Sequence, residues 1–218
     1  MTKRNRNSKP IIAVIDTGID KNVSYSSDII ENFELTIAKK KVVILKDSID
    51  VVGHGTKVAS CIKKYCPSAK LLIINIYGKN GITYSVLLLE ALKLLINKKV
   101  DIINLSLSVN SEENITQLNN VMRKLHRQGK TIVASVKNGY KESFPANSPY
   151  CIGVLGTTKL QKNSFIVDMK EKIQIITSIY PEEVETIENR KEYFGGNSKA
   201  AACVTGCIGT IREILYIN

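Results

Sequence analysis

Apolar residues fall along the chain in short runs, and these runs alternate with segments of helical period. The first run, residues 10 to 15 (PIIAVI), is β-prone and ends at Asp16-Thr17-Gly18, which predicts a buried strand meeting a turn. Runs at 42 to 45 (VVIL), 71 to 76 (LLIINI), 100 to 105 (VDIINL) and 131 to 136 (TIVASV) are almost continuously apolar, the pattern of strands covered on both faces. Helical patterns lie at 54 to 64 after Gly53, at 84 to 97 with its dense leucines, and at 112 to 126, where Ile115, Leu118, Val121 and Leu125 form one stripe. Ser111 is placed to cap the last of these, with Glu112 and Glu113 in its first turn. Such alternation implies right-handed crossovers and a parallel sheet between helical layers.

Beyond residue 150 the pattern changes. Short strand-like pieces (CIGVLG, FIVDM, IQIITSI) follow one another without a helix, an acidic stretch (PEEVETIENRKEYF) leads to Gly195-Gly196, and residues 198 to 215 predict a closing helix. With 218 residues and no internal repeat or low-complexity linker, one α/β domain spanning 1–218 is expected.

Composition narrows the function classes. No apolar run approaches the roughly 20 residues that cross a bilayer, and the start, MTKRNRNSKP, has no secretory hydrophobic stretch, so a cytoplasmic protein without a membrane span is expected. Five cysteines (Cys61, Cys66, Cys151, Cys203, Cys207) scattered through regular elements suit reduced thiols. Cys203 and Cys207 share a helix face, yet two thiols without further ligands make no zinc site, and no metal is expected. The net charge of +11 is spread along a Lys-, Ile- and Asn-rich chain with no arginine-rich or aromatic-interleaved stripe, so nucleic acid is not an expected partner.

Four segments carry chemistry where the carboxyl ends of strands meet loops and helix starts. Asp16 closes the first strand, His54 opens a helix within Gly-His-Gly-Thr, Asn138 follows TIVASV, and Ser198 opens the last helix after the double glycine. Each alone has an ordinary reading: Asp16 favours a turn, His54 or Ser198 caps a helix, and Asn138-Gly139 is a common turn pair.

Together the segments resemble the subtilase family, the subtilisin-like serine peptidases, over nearly the whole chain. Ile11 to Ile19 is similar to the family's aspartate motif, and Gly53-His54-Gly55-Thr56-Lys57-Val58-Ala59 to its histidine motif. Thr131 to Asn138, followed by Phe144-Pro145-Ala146 and Ile152-Gly153-Val154, is similar to the oxyanion-asparagine region. Gly196-Asn197-Ser198-Lys199-Ala200 with Val204 and Gly206 resembles the nucleophile motif. Pro67 to Leu71 and the substrate-binding strand, Asp101 to Leu107, fall between them, and the order Asp, His, Ser is that of subtilisin.

The resemblance implies a three-layer subtilisin-like fold, with a central, mainly parallel sheet flanked by helices. It also implies a serine endopeptidase that works through an acyl-enzyme without a cofactor. Ser198 is then the nucleophile, His54 the general base, Asp16 its orienting carboxylate and Asn138 the oxyanion-hole donor. A catalytically inactive module that retains the fold for binding, and an esterase or amidase, are the competing readings.

This chain departs from the family's pattern in places. Asn197 replaces a threonine, Lys199 a methionine, Ala202 a proline and Cys203 a histidine. Asn197 is either an added oxyanion donor or a structural contact, the latter being expected. Among the substrate-binding positions, Ser108 follows Ser106-Leu107 where a glycine is usual, Lys137 replaces the glycine before Asn138, and Ser143 falls on a pocket-floor glycine. Larger side chains there narrow or polarise the primary pocket. The stretch from Cys61 to Pro67 is too short for a family calcium loop. The nearness of Asp16 to Met1, and of Ser198 to the last residue, leads us to expect no propeptide and no C-terminal hairpin and helix. The expected partners are a peptide or protein substrate, processed selectively, and a regulatory protein.

Overall fold

The computed structural model describes residues 9–79, 81–109 and 114–217. In chain order its elements begin with β1 (Ile11–Asp16), β2 (Ile29–Ala38), β3 (Lys41–Lys46), α1 (His54–Tyr65), β4 (Lys70–Asn75) and α2 (Ser85–Leu95). They continue with β5 (Ile102–Leu105), α3 (Ile115–Arg127), β6 (Thr131–Ser135), β7 (Ile152–Thr157), β8 (Phe165–Val167) and β9 (Ile175–Ser178). A hairpin of β10 (Glu182–Glu185) and β11 (Lys191–Phe194) then leads into α4 (Gly196–Ile217).

Nine strands form one sheet in the order β3-β2-β4-β1-β5-β6-β7-β9-β8. Pairing is parallel from β2 across to β9, and antiparallel at the two edges, β3 on β2 and β8 on β9. Strand alternation divides the core in two. Ala13 and Ile15 of β1 point to the side covered by α2 and α3, with Leu88, Leu92, Leu118, Met122 and Leu125. Ile12 and Val14 point to the side covered by α1 and α4, with Val58, Ile62, Ala201 and Val204.

α1 and α4 lie close because the second supplies a glycine where they cross. A Cβ on Gly206 would stand 2.6 Å from Tyr65 Cβ and 2.8 Å from the Ile62 carbonyl oxygen, distances that no larger residue tolerates. The helix that opens with His54 and the helix that carries Ser198 are thereby packed side by side.

One expectation is corrected. VVIL is not covered on both faces: β3 is an edge strand, and Ile44 and Leu45 are about half exposed. Its partner β2 buries only Phe33 and Leu35, and its mixed sequence, IIENFELTIA, carries no clean alternation that marks it as a strand. The proposed cap and first turn at Ser111, Glu112 and Glu113 lie outside the described residues. Among those described, no helix is long and apolar enough to cross a membrane.

Candidate active site

β1 is flanked by β4 on one side and β5 on the other, because β2, β3 and β4 all lie to one side of β1, with β4 inserted beside it, and the strands from β5 onward lie to the other. Such a reversal opens a crevice at the carboxyl end of the central strand. Asp16 sits there, 1% exposed. Its Oδ1 accepts hydrogen bonds from the Thr17 backbone N–H at 2.8 Å and from His54 Nδ1 at 2.7 Å. Since Asp16 occupies Nδ1, the ring nitrogen left for proton transfer is Nε2.

Asp50 locks this pair together. Its buried carboxylate accepts from the Gly53 and Thr56 backbone N–H groups at 2.7 and 2.8 Å, and from the Thr17 and Thr56 hydroxyls at 2.9 and 2.7 Å. It thus satisfies the orphan donors at the start of α1, which Gly53 has no side chain to do. Thr17 Oγ1 in turn accepts from the Gly55 N–H at 2.8 Å. A Cβ on Gly55 would fall 2.3 Å from the Gly18 carbonyl oxygen, so this glycine allows the first turn of α1 to lie against the turn after β1. Asp50 was missed in the sequence; an acid just before a predicted helix start was the available signal.

The electrostatics of His54 are a contest. Burial opposes the charged ring, but Coulomb attraction to Asp16 and the hydrogen bond that Nδ1 donates to it, with help from Asp50 and against Lys57, hold its pKa above the ordinary imidazole value. The ring also meets Phe194 edge-on, with centroids 5.7 Å apart.

On the other side, Ser198 is the third residue of α4 and is half-buried. Asn138 lies exposed in the turn after β6, and its Oδ1 accepts from the Asn197 N–H at 3.4 Å, which ties that turn to the start of α4. Asn197 is a structural contact, as expected: its Nδ2 donates to the Val136 carbonyl and its Oδ1 accepts from the Gly156 N–H, both at 2.8 Å. Ser106 Oγ donates to the Ser198 carbonyl at 3.5 Å, and Thr205 Oγ1 donates to Asn104 Oδ1 at 2.8 Å, pinning α4 to β5.

The remaining pocket residues fall into two groups. Leu107 and Ser108 line a cleft of about 480 Å³ together with Tyr77, Thr83 and Tyr84. Lys137 and Ser143 hold each other across the loop after β6, the Lys137 N–H donating to Ser143 Oγ at 2.8 Å, and Lys137 Nζ lies 4.7 Å from the centre of the Tyr140 ring. All five cysteines are free, four of them buried.

Comparison with known proteins places the chain in a family and a fold. The chain is 30% identical over 102 residues to the membrane-bound transcription factor site-1 protease of Homo sapiens, a match covering 44% of this chain and 9% of that protein. The chain therefore spans under a tenth of the length of the curated relatives it matches. Among solved structures, the S41 psychrophilic protease superposes with a TM-score of 0.76 at 20% identity, covering 96% of this chain and 78% of that one. The epidermin leader peptide processing serine protease of Staphylococcus aureus superposes with a TM-score of 0.71 at 16% identity, covering 95% and 66%. The profile of the subtilase family, peptidase S8, matches residues 7–216. That match takes in the end of β1, the start of α1, the Asn138 turn and the start of α4 alike, and the chain belongs to the subtilase family.

Proposed function

We propose that this subtilase hydrolyses peptide bonds with Ser198 as nucleophile, His54 as general acid and base, and Asp16 as the group that holds the imidazole. The observation that carries the reading is the 2.7 Å contact between His54 Nδ1 and a buried Asp16 carboxylate at the mouth of the sheet. It fixes the tautomer in which Nε2 accepts the Ser198 proton, and it stabilises the imidazolium formed as Ser198 Oγ attacks the carbonyl carbon. Negative charge then develops on the carbonyl oxygen. The proposed donors that meet it are the Asn138 amide and the Ser198 N–H in the first turn of α4, where helix N–H groups lack intrahelical partners. Collapse to an acyl-enzyme expels the amine, protonated by His54, and a water activated by the same imidazole releases the acid.

Ser106, Leu107 and Ser108 are proposed to hold an extended peptide, with Lys137 and Ser143 bounding the primary pocket. Side chains at those last positions reduce the space available, which favours selective processing of one peptide or protein over general digestion. A structural neighbour is named for leader peptide processing, and a leader of acidic character would complement the chain's charge of +11. The test is a fluorophosphonate probe followed by mass spectrometry. Labelling on Ser198, abolished by Ser198→Ala, is expected; folded protein that stays unlabelled overturns the reading. Cleavage profiling with a peptide library then shows whether acidic residues before the scissile bond are preferred.

A further inference from the structure

Directly after Ser198, α4 carries a lysine that is 1% exposed, among the most deeply buried large side chains in the molecule. Its Nζ meets Glu182 Oε1 at 2.6 Å, and the Glu182 side chain is itself 2% exposed. The same carboxylate accepts from two further groups at the end of α1: Tyr65 OH at 2.6 Å on Oε1, and Lys64 Nζ at 2.8 Å on Oε2. One anion on β10 therefore holds the nucleophile helix with one oxygen and the end of the histidine helix with both.

The cross-strand partner of Glu182 in the hairpin is Phe194, whose ring packs edge-on against His54. Lys57, one turn into α1, also reaches the hairpin through Glu192 Oε2 at 3.0 Å. The hairpin thus touches α1 at both ends and α4 at its start. We propose that the Glu182–Lys199 pair is a positioning device for the reaction: through the β10–β11 hairpin it sets the register of α4 against α1, and so the approach of Ser198 to His54. This rests on the role given to Ser198 above.

A buried ion pair suits that task. Dispersion forces let packed helices slide by fractions of an ångström, whereas a desolvated carboxylate with three donors has one arrangement in which every charge is compensated. Small displacements at a reacting centre are costly, about 100-fold in rate for a shift near 1 Å. The family's methionine at position 199 would fill the space without that constraint.

The experiment uses the full chain and a fluorophosphonate probe, whose saturating rate reads activation of Ser198 and whose half-saturation concentration reads probe binding. Lys199→Met, Glu182→Gln and the double variant are compared with wild type well below each protein's own thermal midpoint. The expected result is a saturating rate about 10- to 100-fold lower in each single variant, with half-saturation unchanged. The double variant is expected to be no slower than the slower single, since both remove one interaction. Folded variants that label at the wild-type rate and show only a lowered thermal midpoint overturn the proposal, as do losses that multiply in the double variant. If a variant does not fold, Tyr65→Phe, which keeps the ion pair and removes one donor, must still lower the saturating rate; an unchanged rate overturns the proposal. Wild-type protein that the probe does not label removes the reading of Ser198 itself, and this inference with it. Labelled wild type with unimpaired variants removes this inference alone.

Discussion

The Thr17 hydroxyl donates to Asp50 Oδ1 at 2.9 Å, joining the residue after Asp16 to the carboxylate that organises the start of the His54 helix. Asp16 and His54 thus meet through a buried polar frame, one residue removed from either of them, and that frame also carries charge towards the imidazole.

Removing this charge shifts the pH profile. The base is competent only when neutral, so the acidic limb of kcat/KM should lie above the ordinary imidazole value of about 6.5. The charges that bear on the ring are Asp16 and Asp50, which favour its protonated form, and Lys57, which opposes it. Asp50→Asn deletes a favourable charge, the pKa falls, and the acidic limb should move to lower pH. A limb that stays in place or moves upward contradicts this account.

Asn138→Ala tests the oxyanion donor. Loss of the corresponding donor in subtilisin costs roughly 100- to 1000-fold in turnover, and a fall of that order in kcat with little change in KM is expected here. Steady-state kinetics on any peptide found by library profiling will measure it. A loss confined to KM would place Asn138 in binding instead.

Much of this arrangement was legible in the sequence. The abrupt end of an apolar run at Asp16, the glycines around His54 and the double glycine before Ser198 each signal a strand or helix terminus, and termini are where a parallel sheet gathers its polar groups. β2 was not legible, because Phe33 and Leu35 are its only buried side chains and a run as short as VVIL does not distinguish edge from centre. Nor was the pairing of Lys199 with Glu182. Local periodicity carries no information about which acid on a hairpin will meet a lysine on the next helix, and the sequence marked Lys199 only as a departure from the family's methionine.

Asn197→Ala should act on stability before it acts on chemistry. It strands the buried Val136 carbonyl, at about 1–3 kcal/mol for an unmet buried group, and the part-buried Gly156 N–H at less, so a loss of about 3 kcal/mol is expected in denaturant unfolding. A change within 0.5 kcal/mol would mean that water replaces both contacts.

Acid should loosen the molecule in a defined window. Hydrogen bonds from Lys63 and Lys70 hold Asp28 down to about 2, and those from Lys199, Lys64 and Tyr65 outweigh burial to hold Glu182 down to about 2. Both carboxylates have depressed folded-state pKa values, so their contribution is complete above the unfolded values near 4 and is lost as the pH falls from about 4 towards 2. The thermal midpoint measured from pH 6 down to pH 2 should be level at first and then fall across that window. A midpoint that drops before pH 5 would point to other groups.

The sheet assigns its two faces to different helices, α1 and α4 on one and α2 and α3 on the other. The cleft beside Leu107 and Ser108 takes part of its lining from α2, through Ser85, Val86 and Leu88, while His54 and Ser198 belong to the helices of the opposite layer. If the cleft holds the substrate as proposed, recognition and cleavage answer to separate halves of the interior, and drift among the leucines of α2 would reshape the cleft and retune the choice of substrate while the groups across the sheet stay undisturbed.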